Sequence, residues 1–444
     1  MSTAAMPEFP SGFRWGVSTS AYQIEGGVDS DGRGASIWDT FAHTPGRIVD
    51  HSTGDVACDH YHRHAEDVAL LAGLGASAYR FSIAWPRVRP TGDGPIDPRG
   101  LDFYDRLVDD LLAHDIDPVA TRYHWDLPQS LEDAGGWLVR DTAHRFAEYA
   151  DATAARLGDR VKLWITLNEP FIHMSLGHAT GEHAPGRTLL FDAFPVAHHQ
   201  LLGHGLAVAA LRTHTTNPIA IANNYSPVRP AGDTAADQAA VAAYEALHNR
   251  LFTDPLFGRG YPDELGFDTS VVRAGDLDVI AAPIDVLGVN YYNPTGVRAP
   301  QEGSPLPFEF VPLDGYPRTA FDWPVAPDGL HELLGWLHRT YADDLPPIQI
   351  TESGCAYDDA PDADGRVHDP ERIAYLDGHL RAVHAAMAEG VDVTGYFVWS
   401  LLDNFEWAEG YARRFGLVHV DFETQKRTPK ASYAWLREVL RAQR

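Results

Sequence analysis

Two glutamates, Glu169 and Glu352, end short apolar runs, in Lys162-Leu-Trp-Ile-Thr-Leu-Asn-Glu-Pro170 and in Ile348-Gln-Ile-Thr-Glu-Ser-Gly354. Both runs are β-rich, and the step into Pro170 forces the chain out of regular structure just where the first carboxyl appears. An amide, Asn168, arrives beside it. Two carboxyls brought from distant segments to one place are what acid/base and nucleophilic work on a glycosidic bond requires. A single glutamate after a strand is usually only a solvated loop residue, so the elements that carry the pair must decide.

Those elements alternate. Strands are expected at 12–20, 78–83, 117–123, 162–168, 219–223, 284–290, 348–352 and 393–399. Helices are expected at 55–74 (closed by Gly75), 101–114, 141–157, 192–214, 235–251, 330–341, 370–389 and 431–441. A Pro/Gly-rich loop is expected from about 294 to 327. Eight strand–helix units predict an α/β fold, a single (β/α)8 TIM barrel with long βα loops, and no linker divides residues 1–444 into further domains. Glu169 then ends the fourth strand and Glu352 the seventh. Gln23, His124, Asn168, Tyr292 and Trp399 also fall at or just past strand ends, on the face where such barrels do chemistry. Scattered polar residues would have been divided between both faces.

Bulk properties exclude other classes. A net charge of −27, with 35 basic residues that form no cluster, argues against nucleic-acid and anionic-membrane partners. The first ten residues lack the basic start and apolar run of a signal peptide, and no stretch approaches a membrane span. Cys58 and Cys355 have neither disulfide-framework nor metal-ligand spacing, and two free thiols fit a reducing cytoplasm. His60 and His64 have the i, i+4 spacing of a helical metal site, with His62 between them, but no His-Glu-x-x-His motif supports it. Surface or packing histidines are the better reading. No calcium loop of the Asp-x-Asp-x-Asp-Gly type occurs.

Several long motifs give a more specific reading. They are Trp15-Gly-Val-Ser-Thr-Ser-Ala-Tyr-Gln-Ile-Glu-Gly26, Tyr79-Arg-Phe-Ser-Ile-Ala-Trp-Pro86, Tyr123-His-Trp-Asp-Leu-Pro128, Thr166-Leu-Asn-Glu-Pro170, Asn290-Tyr-Tyr292 and Trp399-Ser-Leu-Leu-Asp-Asn-Phe-Glu-Trp407. In this order they resemble glycoside hydrolase family 1, the retaining β-glucosidase group, from Phe13 to about Trp435. The resemblance implies Glu169 as acid/base and Glu352 as nucleophile. It implies that Gln23, His124, Asn168, Tyr292, Glu406 and Trp407 bind the sugar over a floor of Trp399, and that Arg80 and Tyr292 support the nucleophile. Phe171, Leu176, His183 and Trp323 match positions on the leaving-group side. No cofactor or metal is implied.

The family pattern usually has Asn at 353, Trp at 171, an aliphatic residue at 122 and an acid at 324, where this chain has Ser353, Phe171, Arg122 and Pro324. Expected substrates are short, small-molecule β-glucosides, with some β-galactoside or β-fucoside activity and a role in cellulose degradation. A 6-phospho-β-glycosidase and a non-catalytic sugar-binding relative are the rivals. The sequence leaves a homo-oligomer open.

Overall fold

A computed structural model describes residues 5–444. Eight parallel strands close into a barrel: β1 (Arg14–Ser18), β2 (Ala78–Ser82), β3 (Asp117–Tyr123), β4 (Leu163–Asn168), β5 (Ile219–Asn224), β6 (Val286–Asn290), β7 (Ile348–Ser353) and β8 (Val393–Trp399). Each pairs with the next, and β8 returns to β1 in the register Gly16↔Phe397 and Ser18↔Trp399. Glycine at 16 is required by that closure, because a Cβ there would lie 2.2 Å from the Phe397 ring. Phe397 belongs to a cluster contributed by strand residues alone, with Leu163, Ile165 and Val286, that fills the barrel.

The outer layer holds α1 (His60–Leu74), α2 (Pro98–Ala113), α3 (Asp141–Leu157), α4 (Phe194–Arg212), α5 (Ala235–Glu245), α6 (Pro327–Tyr341), α7 (Pro370–Ala388) and α8 (Ala431–Ala442). Their apolar stripes face the strands. In α2, for example, Phe103, Leu107 and Leu111 are buried and Leu112 is half-buried. Gly75 closes α1 in the left-handed conformation, as its sequence suggests, with φ 83°. The helix begins at His60 rather than at 55, because Ala57 and Asp59 both adopt left-handed φ. Cys58 N–H and Tyr61 N–H bond instead to Ile24 and Glu25 carbonyls of the segment after β1.

Two further differences lie near the barrel mouth. The helix after β5 runs into a π-helical turn at Ala246–Arg250. The segment 294–327 is not all loop, since Thr295–Arg298 pairs with Val228–Pro230 on one side and with Glu309–Val311 on the other in a small sheet. Strands β4 and β7 both lose regular register just before their tips, at Ile165/Asn168 and at Ile350/Glu352. Irregularities of this kind re-aim side chains, and these two precede the glutamates.

Candidate active site

Glu169 has φ 43° and directly follows β4. This left-handed conformation is costly for a residue with a side chain and persists only where surrounding contacts enforce it. Its N–H is held by the Ala222 carbonyl at 2.8 Å. The carboxyl accepts from Asn290 Nδ2 at 2.8 Å and Asn224 Nδ2 at 3.2 Å, both uncharged amides. Burial, followed by the charge of Glu352, pushes Glu169 up to about 8.

Glu352, on β7, meets different partners. Arg80 Nη1 donates to Oε1 at 2.6 Å, and the Tyr292 hydroxyl donates to Oε2 at 2.7 Å. Burial also raises this carboxyl, but the guanidinium and the phenol work against the rise. Arg80 is held by Thr121 Oγ1, the Thr351 carbonyl and Asn168 Oδ1, at 3.1, 3.0 and 2.6 Å. The pair therefore has opposite surroundings, with a cation and a phenol on Glu352 and neutral amides on Glu169. One shared proton belongs on Glu169.

Around them lies a cavity of about 450 Å³. Trp399, 3% exposed, stacks on His124 with ring centroids 5.8 Å apart and 21° between planes. His124 Nε2 contacts Asn168 Nδ2 at 3.0 Å, while its Nδ1 is buried with no protein partner. Such an unpaired ring nitrogen is ready for a ligand hydroxyl. Burial keeps this imidazole neutral. Gln23 accepts from Ser20 Oγ and donates through Nε2 to Glu406 Oε2 at 3.2 Å, which joins the start of the chain to the segment after β8. Burial and the charge of Glu352 push Glu406 up to about 8. Trp407 packs against Trp38 and Trp125, each with a centroid distance of 4.6 Å.

Leu176, His183 and Trp323 line the outer part of the cavity, and Trp323 stacks on Phe321 at 4.5 Å and 15°. A polar chain reaches this wall from the centre. The Tyr244 hydroxyl meets His248 Nδ1 at 2.8 Å, His248 Nε2 meets Asn224 Oδ1 at 2.7 Å, and Asn224 holds Glu169. Burial holds His248 neutral, so Nε2 carries the proton and Nδ1 accepts from Tyr244.

The model of glycosyl hydrolase family 1 matches residues 5–444. The chain belongs to this family. It is 51% identical over 442 residues to "Thermostable beta-glucosidase B" of Thermobispora bispora, covering 98% of this chain and 90% of that protein. It is 46% identical to the "Bifunctional beta-D-glucosidase/beta-D-fucosidase" of Bifidobacterium breve, covering 97% and 98% of the two chains. Among solved structures, the "Family 1 b-glucosidase from Thermotoga maritima in complex with isofagomine lactam" superposes with a TM-score of 0.94 at 44% identity, covering 98% and 99%.

Within this family 1 barrel, most residues read from the sequence line the cavity, while Gln23, Arg80 and Asn168 lie behind its wall and bond to the lining residues Glu406, Glu352 and His124. Phe171 does neither. It is 7% exposed, lies against the His248 ring at 4.3 Å, and forms part of a second, apolar cavity. The turn that follows the left-handed Glu169 carries it behind that histidine. Ser353 is buried against the Tyr375 hydroxyl at 3.2 Å. Arg122 lies outside the site, its guanidinium 4.3 Å from the Trp164 ring, pushed down to about 10 by burial and without a hydrogen-bond acceptor. His60, His62 and His64 turn to three different carboxylates, Asp67, Asp59 and Asp110, rather than to one point.

Sequence reasoning missed Asn290, Asn224 and His248. The two asparagines carried a usable signal, since each is the last residue of a barrel strand. His248 sits in a π-helical turn and carried none.

Proposed function

We propose that this chain is a retaining β-glucosidase of short β-glucosides, acting by double displacement with Glu352 as nucleophile and Glu169 as acid/base. The observation that carries these roles is the contrast between the two carboxyls' partners. Arg80 and Tyr292 favour the ionised form of Glu352, and burial together with that negative charge keeps a proton on Glu169. Asn290 supports a close approach, since its amide donates to Glu169 and also favours ionised Glu352. A separation of about 5–5.5 Å, the retaining distance, is expected.

In the first step Glu352 forms the bond to the anomeric carbon as the glycosidic C–O bond breaks, and Glu169 gives its proton to the departing oxygen. Esterification removes the charge of Glu352, which lowers the Glu169 pKa and converts it into a base toward water. Asn168 donates toward the 2-hydroxyl and His124 Nδ1 pairs with a further hydroxyl. Gln23 and Glu406 hold the far edge of the ring, which Trp399 underlies. NMR during early turnover tests this scheme. β-Glucose should be the first-formed anomer, and α-glucose first would overturn retention.

Activity on β-fucosides fits the same site, and the Bifidobacterium breve relative is named for both activities. A part in cellulose breakdown fits relatives named 1,4-beta-D-glucan glucohydrolase. The 6-phospho-β-glycosidase reading is disfavoured by a cavity lining that holds no lysine or arginine to pair a phosphate, and by the absence of lysine between Lys162 and Lys426. The non-catalytic reading is disfavoured by the presence of both glutamates. We read residues 1–444 as one catalytic domain. A cytoplasmic location fits the two buried free thiols, Cys58 and Cys355. No helix among the described residues is long and apolar enough to cross a membrane.

A further inference from the structure

Between Trp399, the last residue of β8, and Glu406 the chain belongs to no helix or strand, yet Ser400, Leu401, Leu402, Asp403, Asn404 and Phe405 are all buried. Irregular buried backbone has to be held by other segments or by side chains. Gln23 Nε2 meets Asn404 Oδ1 at 3.0 Å from one side. Asp403 is met from the other. Its Oδ1 accepts from Lys430 Nζ at 2.8 Å and from the Gly416 N–H at 2.9 Å, and its Oδ2 accepts from Arg414 Nη1 at 2.8 Å.

Lys430 directly precedes α8. Of the chain's three lysines it alone is buried, since Lys162 is half-buried and Lys426 exposed. Its ammonium also donates to Asp359 Oδ2 at 2.7 Å, in the segment that leaves β7 just after Glu352. Arg372 Nη1 joins Asp359 Oδ2 at 2.5 Å and Asp369 Oδ2 at 2.6 Å. Three carboxylates and three cations thus balance one another behind the sugar site. Buried ion networks of this kind add little stability over a well-packed apolar cluster. What this one fixes is position, because a single ammonium joins the loop after the nucleophile's strand to the loop that carries Glu406.

We propose that Lys430 is a positioning residue for the reaction: by bridging Asp403 and Asp359 it sets where Glu406 stands relative to Glu352. The proposal rests on the glucosidase reading above, in which Glu406 holds the sugar edge across the ring from the anomeric carbon. Lys430 touches no substrate and acts only through Asp403, three residues before Glu406. The adjoining Asn404 passes the constraint on, since its Nδ2 donates to Ser400 Oγ at 3.0 Å and its Oδ1 takes the same Gln23 amide that holds Glu406. Cutting the bridge frees this loop to shift, whereas Glu352 keeps its own supports, Arg80 and Tyr292.

The test compares 4-nitrophenyl β-D-glucoside with its 4-deoxy analogue, because C4 lies opposite C1 in the ring. The variant is Lys430→Met/Asp359→Asn, which removes one charge of each sign and leaves the cluster balanced. Wild type should favour the glucoside by at least about fiftyfold in kcat/KM. In the double variant that ratio should fall below about tenfold, with turnover of the 4-deoxy substrate within about threefold of wild type. Arg140 and Asp276 form an ion pair that lines no part of the cavity and supply the control. Arg140→Met/Asp276→Asn should lower the melting temperature and leave the ratio within about twofold of wild type. If the Lys430 double variant does not fold, Lys430→Gln, which keeps one donor, should at least halve the ratio.

An unchanged ratio in the folded Lys430 variant overturns the positioning role and spares the glucosidase reading. So does an equal collapse in the Arg140 control, which makes the effect one of general stability. A wild type that treats the two substrates alike overturns the placement of Glu406 and the proposal with it. Turnover of neither substrate overturns the glucosidase reading itself.

Discussion

The two sides of the active-site mouth are built on different terms. On the sugar side, Arg80, Asn168, Tyr292 and Glu352 sit on or beside strand ends and already hold one another before any ligand arrives, and Gln23 holds Glu406. On the leaving-group side, Leu176, His183 and Trp323 come from loops and turns, and the rings of His183 and Trp323 pack against Trp38 and Tyr292. Charge that develops in a transition state needs dipoles fixed in advance, and a closed barrel fixes them. A leaving group needs only area and shape. Rigid polar machinery and adaptable apolar wall thus meet at Glu169, which faces both.

The sharpest way to break this contrast is at the nucleophile. Glu352→Gly should lower turnover by roughly 10⁵-fold or more, as expected when the group that forms the covalent intermediate is lost. Azide added to this variant should yield an α-glucosyl azide, and near-normal hydrolysis without azide would sink the assignment.

At the junction, Glu169→Ala should cost about 10²–10⁴-fold on glucosides with poor leaving groups and far less in the first step with activated aryl glucosides. Its azide product should be the β-anomer. A proton donor pushed up to about 8 predicts that wild-type kcat/KM falls as pH rises through 8, since the donor is lost there. That basic limb should vanish on activated substrates in the variant. Equal losses on good and poor leaving groups would remove Glu169 from the role.

The far edge of the sugar side should reject charge. A 6-phosphate would bring about −1.5 to −2 charges into a buried site whose lining holds no lysine or arginine and which already carries the ionised Glu352. β-Glucoside should therefore exceed its 6-phosphate by at least about a hundredfold in kcat/KM, or about 2.7 kcal/mol. Comparable rates would restore the phospho-glycosidase reading. By contrast, Trp323→Ala on the leaving-group side should cost only about two- to tenfold on aryl glucosides. Inhibition by free glucose should be unchanged in that variant, and a large shift in it would mean that the two sides are not separable.

The smallest effect concerns stability. Glu406 holds its proton up to about pH 8 in the folded state, against about 4.3 when unfolded. Between those values the folded protein binds more protons than the unfolded one, so this group makes stability fall as pH rises through the window. Glu406→Gln removes the dependence. Its melting temperature should gain on wild type progressively from pH 5 to pH 9, even as sugar binding weakens. A constant gap across that range would refute the buried proton.

Much of the sugar side was legible in the chain because its signals are local. The strand of Val393–Trp399 and the helix of Asp141–Leu157 can be bounded from period and turn residues alone, and Glu169 and Glu352 are placed at strand ends by the same reasoning. What each glutamate touches was not local. Arg80, Asn290 and Asn224 reach the two carboxyls only because eight strands close into a ring, and that closure joins residues far apart in sequence. The leaving-group wall was less legible still. Phe171 was turned behind His248 by a backbone conformation, and part of 294–327 formed a small sheet with Val228–Pro230. Loops carry no period to read, and their course is decided by the surfaces on which they settle. The sequence alone therefore determined the barrel and which residue types meet at its mouth, whereas tertiary closure decided their protonation, their partners and the second cavity beside them.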